Sequence, residues 1–201
     1  MNQNIKIIAI SSITGAVVGS LIFASFNLFG EKSENELIKE FYDIENAVHI
    51  SPHGLRGKMD KGDQSYILVD LRSQEEYEKE HIIGAVNIPA YKDKNTPAYE
   101  EKERIINSFK LLSGDKDVIV YCYSMPCMTG RKIGKLLADN GIYVKHLGIG
   151  WNEWRYFWNF WNHEHELKLT KPEEYIFSGK EPGIPKIREL PSPCGKGELS
   201  C

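Results

Sequence analysis

Hydrophobic residues in the middle of the chain form short continuous runs. Residues 66–70 and 118–122 are each five residues long, largely apolar and bounded by turn residues. Such runs are typical of strands that are buried on both faces of a parallel sheet. A third run, residues 143–147, is more mixed because it contains Lys145 and His146. These three runs predict three strands.

Helical spacing appears between and after these runs. We predict helices over three segments: residues 74–79, 99–112 and 131–140. In the last segment Ile133 and Leu137 mark one face, and Gly141 supplies the stop. Because strand and helix alternate, the predicted fold class is α/β, a parallel sheet flanked by helices.

The amino terminus has a different pattern. Residues 7–30 carry no charge, and a helix of that length spans about 36 Å, enough for a hydrocarbon core of about 30 Å. We predict one transmembrane helix over residues 7–29, kept as an anchor because the small-residue cleavage site is poor. With Lys6 before it and Glu31 after it, the positive-inside rule predicts a membrane protein whose domain faces outward, periplasmic or extracellular.

The predicted organisation therefore has four parts: an anchor or signal-anchor at residues 1–30, a linker helix at 31–47, a domain at 48–165 and an irregular tail at 166–201 rich in Pro and Gly. Near the end of the domain, four tryptophans recur at helical spacing: Trp151, Trp154, Trp158 and Trp161. We interpret this stripe as a face that packs against the sheet.

Composition narrows the function. The chain has 201 residues, enough for one ordinary domain, with 41% hydrophobic and 26% charged residues. The formal net charge is −3, and Lys6 is the only charge before Glu31, so the domain and tail are more acidic still. A nucleic-acid partner is disfavoured, because phosphate binding needs a clustered basic excess. The oligomeric state stays open.

A candidate reactive thiol ends the most apolar strand. Cys122 lies where an open parallel sheet forms its ligand site, at the carboxyl ends of the strands. The loop after it runs into a helix near Arg131, and free amides with a guanidinium favour an anion and lower a thiol pKa. By position alone, Cys122 is either this reactive thiol or an inert core cysteine.

Several motifs resemble the rhodanese-like sulfurtransferase family, over about residues 48–155. They are Leu-Val-Asp-Leu-Arg at 68–72, Glu-Glu-Tyr at 75–77, His-Ile-Ile-Gly-Ala-Val-Asn-Ile-Pro at 81–89, Val-Tyr-Cys at 120–122 with Gly130 and Arg131, and Leu-Gly-Ile-Gly at 147–150 with Trp154. The block at 81–89 is the most specific of these motifs.

The resemblance implies a membrane-anchored sulfurtransferase that needs no cofactor. A cysteine persulfide would carry sulfane sulfur from a small thiosulfate-like donor to a thiol or cyanide-like acceptor. Cys122 is the favoured nucleophile, and loop amides would cradle the persulfide. The remaining roles are substrate binding by Ser124, Thr129, Gly130 and Arg131, and structural support by Asp70 and Arg72.

The loop departs from the family pattern. The family's arginine follows its cysteine by five residues, whereas Arg131 follows Cys122 by nine. The longer loop contains Cys127, which is an alternative nucleophile or a resolving thiol. A Cys122–Cys127 disulfide would instead suit a non-transferring module that performs thiol–disulfide exchange or binds a partner. That is the alternative function.

Two other chemistries are disfavoured. A phosphatase loop needs an arginine six residues after its cysteine, but Met128 follows Cys122 and Ile133 follows Cys127 at that distance. The run at 163–166, with Cys194 and Cys201, fits no four-ligand zinc signature, so we interpret it as a solvated polar run and predict no metal. In an oxidising exterior, Cys194 and Cys201 are predicted to pair with each other.

Overall fold

The chain divides into two compact units, Met1–Ile44 and Glu45–Cys201. The computed structural model describes residues 14–20, 32–112 and 114–189. Residues 14–20 are helical. The later helices are α1 (Glu34–Val48), α2 (Pro52–Asp60), α3 (Gln74–Lys79), α4 (Lys102–Lys110), α5 (Thr129–Ala138), α6 (Trp151–Tyr156) and α7 (Trp158–Trp161), with 3₁₀ turns at Glu164–Glu166 and Pro172–Glu174.

Five strands form a parallel sheet in the order β1 (His49–Ile50), β8 (Lys145–Leu147), β7 (Asp117–Tyr121), β2 (Tyr66–Asp70) and β4 (Ala85–Asn87). Two antiparallel pairs lie outside it: β3 (His81–Ile82) with β9 (Ile176–Phe177), and β5 (Tyr91–Asp93) with β6 (Thr96–Pro97). The predicted α/β class with a parallel sheet flanked by helices is confirmed.

Alternate residues of the central strands build two separate cores. Leu68 joins a cluster with residues of α2 and the tryptophans of α6 and α7. Val69 joins a second cluster with Ile105 of α4 and Ile133 of α5. Cys122 belongs to this second cluster. The sheet is therefore covered on both faces, as its continuous apolar strands require.

The predicted elements differ from the observed ones mainly at their ends. The predictions for 66–70 and 74–79 match β2 and α3, whereas α4 is shorter than predicted and α5 begins at Thr129, two residues early. Strand β7 ends at Tyr121, so Cys122 is the first residue after the strand. The tryptophan stripe packs as predicted, since Trp151, Trp154 and Trp158 are buried.

The predicted membrane segment, residues 7–29, lies outside the described residues except at 14–20. Among the described residues, the structure has no helix with the length and apolar character needed to cross a bilayer. Cys194 and Cys201, with the disulfide predicted between them, also lie outside the described residues.

The described part of the predicted tail folds back onto the domain. Tyr175 is buried in the core beside Trp154, and β9 pairs with β3 as an antiparallel strand. Further on, the Arg188 amide donates to the carbonyl of Asp60 at 2.8 Å. These contacts tie residues up to 188 to the sheet domain.

Candidate active site

The loop between β7 and α5 carries Cys122 and Cys127. Two backbone amides at the start of α6 hold the first residues of this loop. The Trp151 N–H donates to the carbonyl of Cys122, and the Asn152 N–H donates to the carbonyl of Tyr123, each at 2.8 Å. Cys122 is thereby fixed at the carboxyl edge of the parallel sheet, where α/β proteins form their sites.

The two cysteine side chains are in contact. Both are free thiols, and their Sγ atoms lie 3.4 Å apart, within hydrogen-bonding distance for sulfur. Cys122 is buried, with 2% of its surface exposed, whereas Cys127 is only partly buried. A molecule that approaches from solvent therefore meets Cys127 first.

The two thiols differ in acidity. Burial, followed by the neighbouring Cys127 sulfur, raises the pKa of Cys122 far above its usual value. Burial acts in the same direction on Cys127, but hydrogen bonds from the Thr129 hydroxyl and amide and from Cys122 outweigh it and lower the Cys127 pKa. Either thiol can donate when both are protonated. Once Cys127 ionises, the Cys122 thiol is the donor.

Thr129, the first residue of α5, connects Cys127 to two tyrosines. Its buried hydroxyl oxygen lies 2.8 Å from the hydroxyls of Tyr91 and Tyr99. A threonine hydroxyl has one proton and two lone pairs. If both tyrosines donate to it, its proton is free to point at the Cys127 sulfur. The predicted binding residue Thr129 thus contacts the reactive thiol.

Two glycines allow the loop to approach its neighbours closely. A Cβ at Gly130 would lie 2.1 Å from His146 Nε2, and a Cβ at Gly150 would lie 2.2 Å from the backbone nitrogen of Ser124. Both distances are far below van der Waals contact. Gly130 therefore allows α5 to pack on β8, and Gly150 allows the turn before α6 to contact the cysteine loop.

Arg131 and Ser124 brace the loop backbone. The exposed Arg131 guanidinium donates to the carbonyls of Met125 at 3.2 Å and Cys127 at 3.3 Å. Ser124 accepts from the Cys127 amide at 3.0 Å, and the Met125 amide donates to Glu153 at 3.2 Å. Two of the amides expected to cradle a persulfide are thus turned toward other acceptors.

Asp70 and Arg72 form a buried ion pair at the end of β2. The Arg72 guanidinium donates to Asp70 Oδ2 at 2.7 Å and to the Glu80 carbonyl at 2.8 Å. The Tyr121 hydroxyl donates to the same Asp70 oxygen at 2.6 Å. The Arg72 guanidinium packs on Trp151, with its central carbon Cζ 4.2 Å from the centroid of the Trp151 ring. These groups connect β2, β7 and α6 beneath the loop.

Sequence reasoning missed the tyrosines around the loop. Tyr91 begins β5 and Tyr99 follows β6 by two residues, and Tyr123 donates from the loop itself to Glu76 of α3. Burial raises the pKa of both Tyr91 and Tyr123 well above the usual value, so their hydroxyls stay protonated and can donate. No spacing in the sequence links Tyr91 and Tyr99 to Cys127.

Two groups of described side chains can be considered as metal ligands: the two cysteines and a cluster of two histidines and a glutamate. The two sulfurs fall short of the four ligands of a structural zinc site. His53, His163 and Glu166 do bring three donor atoms within 4.8 Å of one another. Glu166 is buried, so the prediction of a solvated run at 163–166 is wrong at this residue. Its ion pair with Arg56 accounts for the burial.

Comparison with known proteins identifies the family. The rhodanese-like domain family matches residues 51–156, more than half of the chain. The chain therefore belongs to the rhodanese-like domain family.

Two curated relatives match parts of this domain. An HTH-type transcriptional regulator, Rv0324, of Mycobacterium tuberculosis is 36% identical over 88 residues, which are 44% of this chain and 34% of the relative. An uncharacterized 16.5 kDa protein of Synechococcus elongatus is 40% identical over 58 residues, 29% of this chain and 39% of the relative. The matches span about a third of the length of these relatives.

Among solved structures, the chain is similar to the crystal structure of the BH2092 protein from Bacillus halodurans. The two are 25% identical with a TM-score of 0.50. The similarity covers 69% of this chain and all of the other. The solved structure thus supports the fold over about two thirds of this chain.

Proposed function

We propose that the domain is a sulfurtransferase in which Cys127 takes up a sulfane sulfur and Cys122 lies behind it as a second thiol. One observation carries the proposal: a partly exposed sulfur with a lowered pKa lies 3.4 Å from a buried sulfur with a raised one. The thiolate is the nucleophilic form of cysteine. The proposal therefore gives the first attack to Cys127, the alternative nucleophile of the sequence analysis.

The transfer has two steps that balance without an external oxidant. The Cys127 thiolate attacks the outer sulfur of thiosulfate, the S–S bond of thiosulfate breaks, and sulfite leaves with the bonding electron pair. A thiolate or cyanide acceptor then attacks the outer sulfur of the Cys127 persulfide. This attack breaks the new S–S bond and restores the Cys127 thiolate.

Neighbouring groups stabilise the anion in both steps. The Thr129 hydroxyl and the Cys122 thiol donate to the Cys127 sulfur, and charge-assisted bonds of this kind are stronger than neutral ones. The exposed Arg131 guanidinium, bonded to the Cys127 carbonyl, supplies positive charge where an anionic donor arrives. The hydrogen bonds favour the thiolate with any donor, whereas the Arg131 charge favours thiosulfate over a neutral donor.

Thiol–disulfide exchange is the second candidate function, and the contact between the two sulfurs favours it. Cys127 would attack a substrate disulfide, and Cys122 would then attack the resulting mixed disulfide at Cys127. The products are a reduced substrate and a Cys122–Cys127 disulfide. The 3.4 Å contact suits this resolving role, whereas the burial of Cys122 suits a hydrogen-bond donor, because it raises the pKa of the thiol.

We also propose that residues 7–29 anchor the domain in a membrane with the domain facing outward. The support is the uncharged stretch itself, with Lys6 before it and Glu31 after it. Protease added to intact cells is expected to remove the domain. Full protection of the domain in intact cells, with digestion after lysis, would contradict the orientation.

A matched pair of variants tests the sulfurtransferase proposal. Sulfite release from thiosulfate in the presence of cyanide is measured for Cys127→Ser and Cys122→Ser. We expect Cys127→Ser to lose turnover, and Cys122→Ser to keep it at a reduced rate because serine still offers a hydroxyl donor. Full activity of Cys127→Ser would exclude Cys127 as the sulfur carrier. Inactivity of the wild type with thiosulfate, together with reduction of a model disulfide, would favour exchange.

A further inference from the structure

A second cluster of polar side chains lies on the other side of the sheet from the cysteine cluster. His53 lies in the first turn of α2. Glu166 is the last residue of the 3₁₀ turn after α7, and His163 directly precedes that turn. Their neighbour Trp161 packs against the core of Leu68. This cluster is independent of the sulfur chemistry.

His53 presents a lone pair that has no partner. Its Nε2 lies 2.6 Å from the Trp161 carbonyl, which can only accept, so Nε2 carries the ring proton. In the neutral ring, Nδ1 then carries a lone pair. That Nδ1 atom is buried without a hydrogen-bond partner among the described atoms.

The atom that faces this lone pair is another acceptor. Glu166 Oε2 lies 3.6 Å from His53 Nδ1, and Arg56 pairs with the other oxygen of this carboxylate. Oε2 accepts from the His163 amide at 3.0 Å. Two buried acceptors that face each other with no donor between them are unfavourable, and a cation between them would satisfy both.

A third atom that can ligate a metal lies on the solvent side of this group. The exposed ring of His163 lies 4.7 Å from the ring of His53, centroid to centroid, and its ring nitrogen is within 4.8 Å of the other two donor atoms. Ligands of a tetrahedral zinc ion with bonds of about 2.0–2.1 Å lie about 3.4 Å apart. The 3.6 Å separation of Nδ1 and Oε2 is already close to this value.

We propose that His53 Nδ1, His163 and Glu166 Oε2 bind a divalent transition metal such as Zn²⁺, with a water molecule as the fourth ligand. Bound histidines usually donate their other ring N–H to a carbonyl, and the Trp161 carbonyl holds His53 in this way. The other Glu166 oxygen is fixed by Arg56, whose guanidinium also donates to Asn162. The supporting interactions of a metal site are therefore in place.

The test measures zinc binding by the full chain after its thiols have been alkylated, so that thiolates do not contribute. His163→Ala removes an exposed ligand without disturbing the core, and His165→Ala removes the neighbouring exposed histidine as the matched control. We expect one zinc ion per wild-type chain, at least about tenfold weaker binding in His163→Ala, and wild-type binding in His165→Ala. Zinc should raise the melting temperature of the wild type but not of His163→Ala.

Cobalt provides a second measurement. Co²⁺ bound to the alkylated chain should show visible absorption bands that disappear in His163→Ala and in His53→Gln. Equal zinc affinity in the wild type and His163→Ala would overturn the proposal, as would the absence of binding to the folded wild type at equimolar zinc. Equal losses in His165→Ala and His163→Ala would overturn the assignment of His163 as the ligand.

Discussion

Substitution of Gly150 by alanine should push the cysteine loop away from α6. The added Cβ would lie 2.2 Å from Ser124 N, 2.4 Å from Ser124 Cα and 2.6 Å from the carbonyl carbon of Tyr123. All three are backbone atoms, which cannot swing aside as a side chain can. The φ angle of Gly150 is −112°, which alanine also adopts, so the effect is steric rather than conformational.

The size of the effect follows from these contacts. Ordinary contact begins at 3.4 Å, so the Tyr123–Ser124 peptide must move by roughly 1 Å, and overpacking of this kind costs about 1–3 kcal/mol. The movement also lengthens the bonds from Trp151 N–H to Cys122 and from Asn152 N–H to Tyr123, both 2.8 Å. Each contributes about 0.5–1.5 kcal/mol. If both bonds are lost, the total loss is about 2–6 kcal/mol.

Urea unfolding measures the loss, and Gly148→Ala is the matched control two residues away. A Cβ at Gly148 would lie 3.4 Å from the Ile50 carbonyl oxygen, an ordinary contact. Gly150→Ala should also slow alkylation of Cys127, because displacement of the loop weakens the hydrogen bonds that lower its pKa. Equal unfolding free energies and equal alkylation rates in the two variants would refute the reasoning.

Three further predictions follow from the same region. Thr129→Val removes a donor to Cys127, so the midpoint of the pH dependence of Cys127 alkylation should move upward; an unchanged midpoint would contradict this. Arg131→Ala should raise the KM for thiosulfate more than it lowers kcat, because the guanidinium attracts the donor without touching sulfur; an unchanged KM would exclude it from donor binding. Burial lowers the His146 pKa to about 4, below an unfolded value of about 6.5, so the unfolded chain binds more protons between these values. The unfolding free energy should fall as pH drops from about 6.5 to 4, by at most about 3 kcal/mol; urea unfolding across this range should show a smaller fall in His146→Gln.

Much of the sheet is predictable because its central strands are buried on both faces. Residues 66–69 form a continuous apolar run that ends at Asp70, and residues 118–121 form a similar run that ends at Cys122. The strands His49–Ile50 and Ile176–Phe177 have only two residues each, too few to show any period, and they form by pairing with distant strands. Local pattern therefore predicts the centre of the sheet and misses its margins.

The candidate site is predictable only in part for a similar reason. The strand end locates Cys122, and the loop length brings Cys127 near it. The difference in pKa between the two thiols depends on burial and on Thr129, which in turn depends on Tyr91 and Tyr99, 38 and 30 residues away. The histidine and glutamate cluster likewise joins His53 to residues more than a hundred positions later. Such tertiary contacts leave no local signature.

The most direct test of the account is the intact mass of the two cysteine variants after treatment with thiosulfate and removal of excess reagent. We expect Cys122→Ser to gain the mass of one sulfur atom, which a reducing agent then removes, and Cys127→Ser to gain none. A sulfur gained by Cys127→Ser but not by Cys122→Ser would return the nucleophile to Cys122. No gain in either variant or in the wild type would contradict sulfur transfer by this domain.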